Sequence, residues 1–410
     1  MDTFCGLWAL YYTLQWVLLA RQGRAIQQQS HALPAGFEND YTADDQLKAT
    51  RYGLAKLRLA RLELLVEALV LLMWIVAGGL ARLDHALEAW MPNTPPTSLS
   101  HGVALTLTVL AVGMVIDWPF AAYRTFGLEA RFGFNQSTVG LFVKDQLLSI
   151  GLGLLLGVPL LVFVLWAMAS LGPNWWWVAY LVFVGFSLTL TLLYPTVIAP
   201  LFNQFKPLDD PALKARIDQL LADVGFKAKG VFVMDGSRRS THGNAYFTGF
   251  GQSKRIVFYD TLLERLNPDE LRAVLAHELG HFKLNHIRSQ LLISVALLGV
   301  GFWVLGQLSQ SAAVFTSVHL SLSPGMLLVV GLLALQLISW PLQPLQNALS
   351  RRHEYEADAF AAQHSSSQQL ASALKKLVRD NASCLVPDPW YARFFASHPS
   401  VVERVRALGA

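Results

Sequence analysis

Residues 147–171 read LLSIGLGLLLGVPLLVFVLWAMASL and contain no charged side chain. A helix that crosses a bilayer needs roughly 20 mostly apolar residues. This stretch therefore predicts a membrane-spanning helix. A second apolar run, at 175–203, follows after a short break around Pro173 and predicts another span directly after the first.

The composition agrees with a membrane protein. Of the 410 residues, 53% are hydrophobic and only 15% are charged, whereas a soluble domain carries about 25% charged residues. The net charge of +4, without a basic block, excludes a nucleic-acid binder that works through a charged tail. Two cysteines are too few for a disulfide framework or a cysteine zinc site.

Five more runs are long and apolar enough to span a bilayer, although Glu63, Glu67 and Asp117 lie within or near the ends of two of them. We therefore predict seven spans, at 3–20, 62–83, 101–123, 147–171, 175–203, 290–309 and 324–346. The first has no basic region before it and is followed by Arg21 and Arg24. This order predicts a retained anchor rather than a cleaved signal peptide.

The basic residues predict the orientation of the spans. Seven spans place 31 of the 32 Lys and Arg residues on one side, with Arg82 as the exception. The excess of positive charge in cytoplasmic loops makes that side cytoplasmic. The N-terminus is then outside, and residues 204–289 lie in the cytoplasm.

We predict two regions and an all-α polytopic membrane fold that carries a small α+β cytoplasmic domain. Residues 1–203 form the N-terminal membrane region with five spans, and residues 204–410 contain the domain and the last two spans. In the domain, 230–234 and 256–259 are typical of short strands and 212–224 of an amphipathic helix. Asn267, Pro268 and Glu270 predict the start of a capped helix.

That helix carries the sequence His277-Glu278-Leu279-Gly280-His281. Positions i and i+4 lie on one face of a helix, so the two imidazoles can bind one Zn²⁺. Glu278 projects beside them and can act as a general base. The pattern predicts a zinc metallopeptidase of the gluzincin type, in which the third ligand is a distant acidic residue.

In the pattern HExxHxxGxxH the third ligand is a histidine six residues after the second, but Ile287 occupies that position here. His286 is one position short of the pattern and is interpreted as a surface residue or a support for a ligand. Glu354 and Asp358, four residues apart on a helical stretch, offer the missing carboxylate. One of them can bind the metal while the other holds a histidine N–H. His281 lies about nine residues before the sixth predicted span and Glu354 about eight after the seventh. If the helices continue, both stand about 12–14 Å beyond the spans.

Five motifs, two of which contain the residues just described, resemble motifs of the type I CAAX prenyl proteases, a family of integral-membrane zinc metallopeptidases. They are HGNAYFTGF at 242–250, KRIVFYDTLL at 254–263, HELGHFKLNH at 277–286, RRHEYEADAF at 351–360 and SHPS at 397–400. The resemblance covers nearly the whole chain and includes the order of the motifs and the seven-span layout.

The resemblance implies one zinc ion bound by His277, His281 and Glu354, with Glu278 as general base and acid. It also implies that Asp358 supports a ligand histidine. Further residues have implied roles: Asn244 and Ala245 bind the substrate as an added strand, and His398 contacts the oxyanion. Without the resemblance, Asn244 is interpreted as a turn residue and His398 as a loop residue.

We therefore predict a zinc-dependent membrane endopeptidase. It either removes the C-terminal tripeptide of prenylated proteins or acts in membrane-protein quality control. Its expected partners are a peptide or protein substrate and the lipid bilayer, with no nucleic acid. An intramembrane protease is disfavoured because the HELGH helix carries several charges, among them Asp269, Arg272 and Lys283.

A non-catalytic membrane scaffold or transporter that retains a zinc site is the alternative from another class; the intact ligand positions and the lack of hydrophobic repeats disfavour it. The compact chain, without a long acidic or lysine-rich insert, favours the bacterial inner membrane over the endoplasmic reticulum.

Overall fold

The computed structural model of the protein describes residues 1–30, 33–248 and 254–410. The end of the predicted substrate motif, Gly249 and Phe250, lies outside these residues.

Long helices make up the N-terminal half of the chain. They are α1 (Asp2–Gln28), α2 (Ala43–Ile75), α3 (Gly79–Trp90), α4 (Leu99–Ala122), α5 (Val139–Ser170), α6 (Trp175–Leu193) and α7 (Ala199–Phe202). Wide π-helical turns extend α4 through Tyr123–Glu129 and join α6 to α7 through Tyr194–Ile198.

A small mixed sheet with its own helices follows α7. In chain order, its elements are β1 (Phe205–Pro207), α8 (Pro211–Asp223), β2 (Gly230–Met234), β3 (Ala245–Thr248), β4 (Arg255–Tyr259), α9 (Asp260–Leu263) and α10 (Pro268–Lys283). The strand order is β1-β2-β4-β3, with β2 and β4 parallel and the other two pairs antiparallel. The predicted α+β domain is therefore present, and β3 lies at an edge of its sheet.

The last part of the chain is helical again. It contains α11 (His286–Leu308), α12 (Ala312–Thr316), α13 (Pro324–Ser339), α14 (Gln343–His364), α15 (Ser367–Asp380), α16 (Pro389–Phe395) and α17 (Val401–Ala407). A short 3₁₀ turn at Trp340–Leu342 joins α13 to α14.

Within the described residues, six helical segments are long and apolar enough to cross a membrane, and the α2–α3 pair adds a seventh if it is counted as one bent span. The structure thus confirms the polytopic membrane fold with six to seven spans. The predicted span at 62–83 is not one straight helix, because α2 and α3 meet at an angle of 55°. Gly78 has φ +72°, a conformation that ends a helix at little cost only for glycine.

The two larger of three hydrophobic clusters among the described residues form the main cores of the protein. One lies among the membrane helices and includes Leu80, Leu105 and Trp175. The other lies between the sheet, α8, α10, α15 and α17, and includes Ile217 and Phe258. Only 6% of the apolar window of the α5 segment is buried within the protein, as expected of a helix surrounded by lipid.

Arg239 joins the sheet domain to the membrane helices. Its guanidinium donates two hydrogen bonds to Asp145 near the start of α5, at 2.8 and 2.9 Å, and one to the Phe202 carbonyl at the end of α7, at 2.7 Å. A bidentate arginine–carboxylate pair fixes orientation as well as distance. The sheet is therefore held in a defined position beside the spans.

Candidate active site

Helix α10 begins with the predicted capping box. The Asn267 side chain accepts hydrogen bonds from the N–H groups of Asp269 and Glu270, and the Glu270 carboxylate accepts one from the Asn267 N–H at 2.9 Å. Glu270 is also bound by Ser372 and Lys376 of α15, at 2.7 and 2.8 Å. The start of α10 is therefore fixed both locally and by the helix that packs on it.

Gly280 lets α10 approach α14 closely. A Cβ atom at this position would lie 3.0 Å from the Ala357 Cα and 3.2 Å from the Phe360 Cβ. The backbones of the two helices therefore nearly touch at the level of His281. This contact, rather than local flexibility, explains a glycine inside the HELGH helix.

The predicted ligand atoms converge between these two helices. His277 Nε2 and His281 Nε2 lie 3.2 Å apart, and the Glu354 carboxylate oxygens lie 3.5 Å from His277 Nε2 and 3.3 Å from His281 Nε2. His277 and Glu354 are only 7% and 4% exposed. His281 and Glu354 are therefore in contact, as expected of two residues that stand equally far beyond the spans. The helix of His281 does not continue into the next span, however: α10 ends before α11 begins, and Asn285 between them has φ +60°.

Asp358 contacts the first histidine, as the resemblance implies. Its Oδ1 lies 2.8 Å from His277 Nδ1, which directs the Nε2 atom of that ring toward His281 and Glu354. Burial opposes protonation of His277, but the hydrogen bonds to Asp358 and Glu354 outweigh burial and raise the pKa of the imidazole to about 9. The surroundings therefore favour positive charge.

Arg404 completes this charged cluster from α17. Its Nε and NH2 atoms donate to the two Asp358 oxygens at 2.8 and 2.6 Å, and its NH1 lies 3.3 Å from Glu354 Oε2. The side chain is buried. Arg404 thus fixes the carboxylate that in turn orients His277.

The residues present fit a divalent cation. Two imidazoles and a carboxylate are the ligand set of catalytic zinc sites. The buried Glu354 Oε2 lies 3.3 Å from Arg404 NH1 but accepts no hydrogen bond from the described part of the chain, and a buried carboxylate oxygen that accepts no hydrogen bond is costly. When both imidazoles are neutral, the ionised carboxylates of Glu278, Glu354 and Asp358 carry three negative charges and Arg404 carries one positive charge. One divalent cation would balance the two negative charges that remain.

Glu278 lines a cavity of about 270 Å³ beside the ligand cluster. Burial raises the pKa of its carboxyl group; the positive charges of His277 and His281 pull the pKa down, while Glu354 adds to the rise. A raised carboxyl pKa brings the group closer to neutral pH, where it can both accept and donate a proton.

His398 reaches the same cavity from the segment before α17. Its Nε2 lies 3.4 Å from Glu354 Oε1, and its Nδ1 is 2.9 Å from Ser397 Oγ. Unlike the ligand residues, its side chain is 63% exposed, so it is accessible to a bound molecule.

Asn244 and Ala245 line the same cavity. The Asn244 carbonyl accepts a hydrogen bond from the Tyr259 N–H at 2.9 Å. In an antiparallel pair the N–H and C=O groups of successive residues face alternate sides, so those of Ala245 face the edge of β3 that does not pair with β4. Within the described residues, the Ala245 N–H donates to the Asn244 side-chain oxygen, at 2.8 Å.

Two family matches divide the chain. The family described as CAAX prenyl protease N-terminal, five membrane helices, matches residues 22–204, and peptidase family M48 matches residues 207–410. A CAAX prenyl protease 1 homolog of Oryza sativa is 35% identical, over 97% of this chain and 95% of its own length. The chain belongs to the type I CAAX prenyl protease family.

Other members of the type I CAAX prenyl protease family show the same similarity. The CAAX prenyl protease 1 homolog of Arabidopsis thaliana is 33% identical over the whole of this chain and 97% of its own length. The crystal structure of S. mikatae Ste24p has a TM-score of 0.90 at 28% identity and covers 99% of this chain and 98% of that one. The family confirms the predicted activity: the protein is an integral-membrane metalloendopeptidase that acts on a peptide or protein substrate.

Sequence patterns did not identify Arg404. It lies in the short helix α17, three residues after Val401 and one before Val405, which both belong to the core between the sheet and its helices. This spacing places Arg404 on the buried face of α17, a signal that could have pointed to a buried charge but not to its partner. Only the packing of α17 against α14 brings its guanidinium to Asp358.

Proposed function

We propose that the protein is a zinc-dependent endopeptidase that cleaves near the C-terminus of prenylated proteins, with one zinc ion held by His277, His281 and Glu354. The observation that carries the proposal is the convergence of these three side chains, within 3.5 Å, beside an open strand edge. The family implies a metal, and the two-histidine, one-carboxylate set favours zinc. A zinc ion in this position supplies Lewis-acid activation of water and of a peptide carbonyl.

Glu278 has the location and the proton affinity of the general base. It faces the cavity, and its pKa is raised by burial. We expect its carboxylate to take the proton of the attacking water and to deliver that proton to the leaving amine when the peptide bond breaks. The same group then returns to its ionised form.

His398 is the candidate donor to the tetrahedral oxyanion. It borders the cavity and remains accessible, and its ring lies close to Glu354. Removal of a contact of this class costs about 3–4 kcal/mol of transition-state stabilisation.

The open edge of β3 supports binding of the substrate as an added strand. Ala245 presents an N–H and a C=O at this edge and lines the same cavity as His277. A peptide that pairs with these groups would lie alongside the ligand cluster. The Ala245 N–H donates to the Asn244 side-chain oxygen. A bound substrate would replace this oxygen with one of its own carbonyl oxygens.

The prenylated nature of the substrate is inferred from the relatives, whose names describe CAAX prenyl proteases. Membrane-protein quality control is the second candidate substrate class. We also propose that residues 1–203 and 204–410 are the two regions of the chain, in line with the family matches.

For location, we propose that the active site faces the cytoplasm, from the distribution of basic residues. The relatives named above come from plants and yeast and support the endoplasmic reticulum membrane. The bacterial inner membrane rests only on the absence of a long charged insert.

The test is cleavage of a farnesylated CaaX peptide and its unprenylated counterpart by the purified full chain, together with a zinc assay. We expect one zinc per chain, loss of turnover with a chelator, and faster cleavage of the farnesylated peptide. Glu278→Gln should abolish turnover but retain zinc. The matched control is Glu264→Gln, the same change at an exposed position after α9, which should behave as wild type.

Chelator-insensitive turnover, or a Glu278→Gln variant as active as wild type, would contradict the proposed mechanism. Equal rates on both peptides would remove the prenyl requirement and favour quality control. A chain that binds zinc but cleaves neither peptide would support the scaffold or transporter alternative.

A further inference from the structure

A second group of polar side chains lies directly behind His281. His286 is 3% exposed, and its Nδ1 is 3.1 Å from His281 Nδ1. Its other ring nitrogen, Nε2, is 3.0 Å from Glu356 Oε2. The second Glu356 oxygen accepts a hydrogen bond from Arg352 Nε at 2.8 Å. These contacts form a chain that runs from Arg352 to the ring of His281.

The direction of each hydrogen bond in this chain follows from the chemistry of imidazole. Because a neutral imidazole has one N–H and one lone pair, a His281 ring that uses Nε2 as a ligand atom carries its proton on Nδ1. That proton is donated to His286 Nδ1, so His286 carries its own proton on Nε2. The acceptor of this second proton is Glu356, a carboxylate that can only accept when ionised. Every donor in the chain meets an acceptor.

We propose that His286 and Glu356 are positioning residues that hold the tautomer and the ring orientation of His281 for metal binding. The proposal rests on the zinc site proposed above. His277 is held directly by the Asp358 carboxylate, whereas His281 reaches its carboxylate through an intervening imidazole. Both ligand histidines are thus oriented by a carboxylate, as is usual for zinc-bound histidine.

A different reading of the same residues is a second metal site, since ligand atoms of His286, His353 and Glu356 lie within 4.8 Å of one another. The ring geometry argues against it. The His286 and His353 rings are stacked, with centroids 4.1 Å apart and an interplanar angle of 9°. An ion binds in the plane of an imidazole, and two parallel stacked rings do not share a plane. His353 therefore serves as a packing surface for His286.

The experiment measures the zinc dissociation constant of the purified full chain by competition with a chelator, together with the melting temperature of the metal-free protein. We expect His286→Ala to weaken zinc binding about 10–100-fold, the usual effect of losing such a support. His286→Asn should recover much of this loss, because its amide oxygen can accept the proton of His281 Nδ1. Glu356→Gln should have a smaller effect, since an amide oxygen still accepts from His286.

The matched control is His353→Phe, which keeps a ring stacked on His286 and should leave both the zinc affinity and the stoichiometry unchanged. A purely structural role for His286 would lower the melting temperature of the metal-free protein and leave the dissociation constant unchanged. If His286→Ala does not fold, His286→Phe provides the measurement, because it keeps a ring stacked on His353 but offers no acceptor for the proton of His281 Nδ1, and it should weaken zinc binding as the alanine variant does.

Unchanged zinc affinity in His286→Ala, or in His286→Phe where the alanine variant does not fold, would overturn the positioning role while leaving the proposed function intact. A wild-type chain with two zinc ions, one of which is lost in His353→Phe, would also overturn it in favour of a second metal site. A wild-type chain that binds no zinc would refute the proposed function itself, and the positioning role with it.

Discussion

Replacing Gly280 with alanine tests whether the closeness of α10 and α14 sets the metal site. Two effects oppose each other. Alanine stabilises a helix by about 1 kcal/mol relative to glycine. The added Cβ would meet the Ala357 Cα at 3.0 Å, a contact with backbone that no side-chain rotation relieves. Overpacking of this kind costs about 1–3 kcal/mol. We therefore expect a net destabilisation of up to about 2 kcal/mol.

The functional effect of Gly280→Ala should exceed its effect on stability. Relief of the contact moves α10 from α14 by a few tenths of an ångström, and His281 and Glu354 are on opposite sides of that gap. Since a misplacement of about 1 Å costs roughly 100-fold in rate, we expect a several-fold loss of kcat/KM and weaker zinc binding. Peptide cleavage, chelator competition and thermal unfolding measure the three quantities.

The control for this substitution is Gly301→Ala in α11, where an added Cβ meets nothing within 4 Å. It should be neutral or slightly stabilising, with unchanged activity. If Gly280→Ala instead raises the melting temperature as Gly301→Ala does, and keeps wild-type zinc affinity and activity, the account of the α10–α14 contact is wrong.

Three further predictions concern neighbouring parts of the site. Arg404→Met leaves the buried Asp358 without its cation, which should destabilise the metal-free protein by about 3–5 kcal/mol. Bound zinc should reduce this loss of stability because it compensates negative charge, and equal losses with and without zinc would contradict the prediction. Ala245→Pro removes an N–H at the open edge of β3, a hydrogen bond worth about 0.5–1.5 kcal/mol; KM should rise up to about tenfold with little change in melting temperature, and an unchanged KM would argue against strand addition. Burial opposes ionisation of Glu270, but hydrogen bonds to Lys376 and Ser372 lower its pKa in the folded protein. The contribution of the ionised carboxylate to folding stability is therefore complete above the unfolded-state pKa of about 4.3. This contribution is lost as the pH falls toward the folded-state pKa. Thermal unfolding between pH 3 and 7 should show a smaller acid dependence in Glu270→Gln than in wild type, and parallel curves would refute the assignment.

The sequence was sufficient where a pattern has a direct physical cause. Runs of apolar residues are needed to cross a bilayer, and the Asn267 capping box and the HELGH spacing follow from helix geometry. These features predicted the spans, the start of α10 and the histidine pair. The need of zinc for a third protein ligand pointed to Glu354 or Asp358 after the last span, and the family resemblance selected Glu354.

The sequence was insufficient where packing of distant segments decides the outcome. The bend between α2 and α3 depends on a left-handed Gly78, and the Gly78-Gly79 pair, although typical of a turn, does not determine an angle of 55°. Arg404 lies in a helix of ordinary composition, and its approach to Asp358 depends on how α17 packs. His286 was interpreted as either a surface residue or a ligand support; its burial against His353 becomes visible only when α11 and α14 are placed together.

The position of α17 also has a consequence for biosynthesis. His398 and Arg404 line the cavity beside Glu278 but follow all the spans described above in the chain. A nascent polypeptide can thus insert these spans before the two side chains have been synthesised. If both side chains are needed for hydrolysis, translation products that stop before residue 397 should be inert in the membrane.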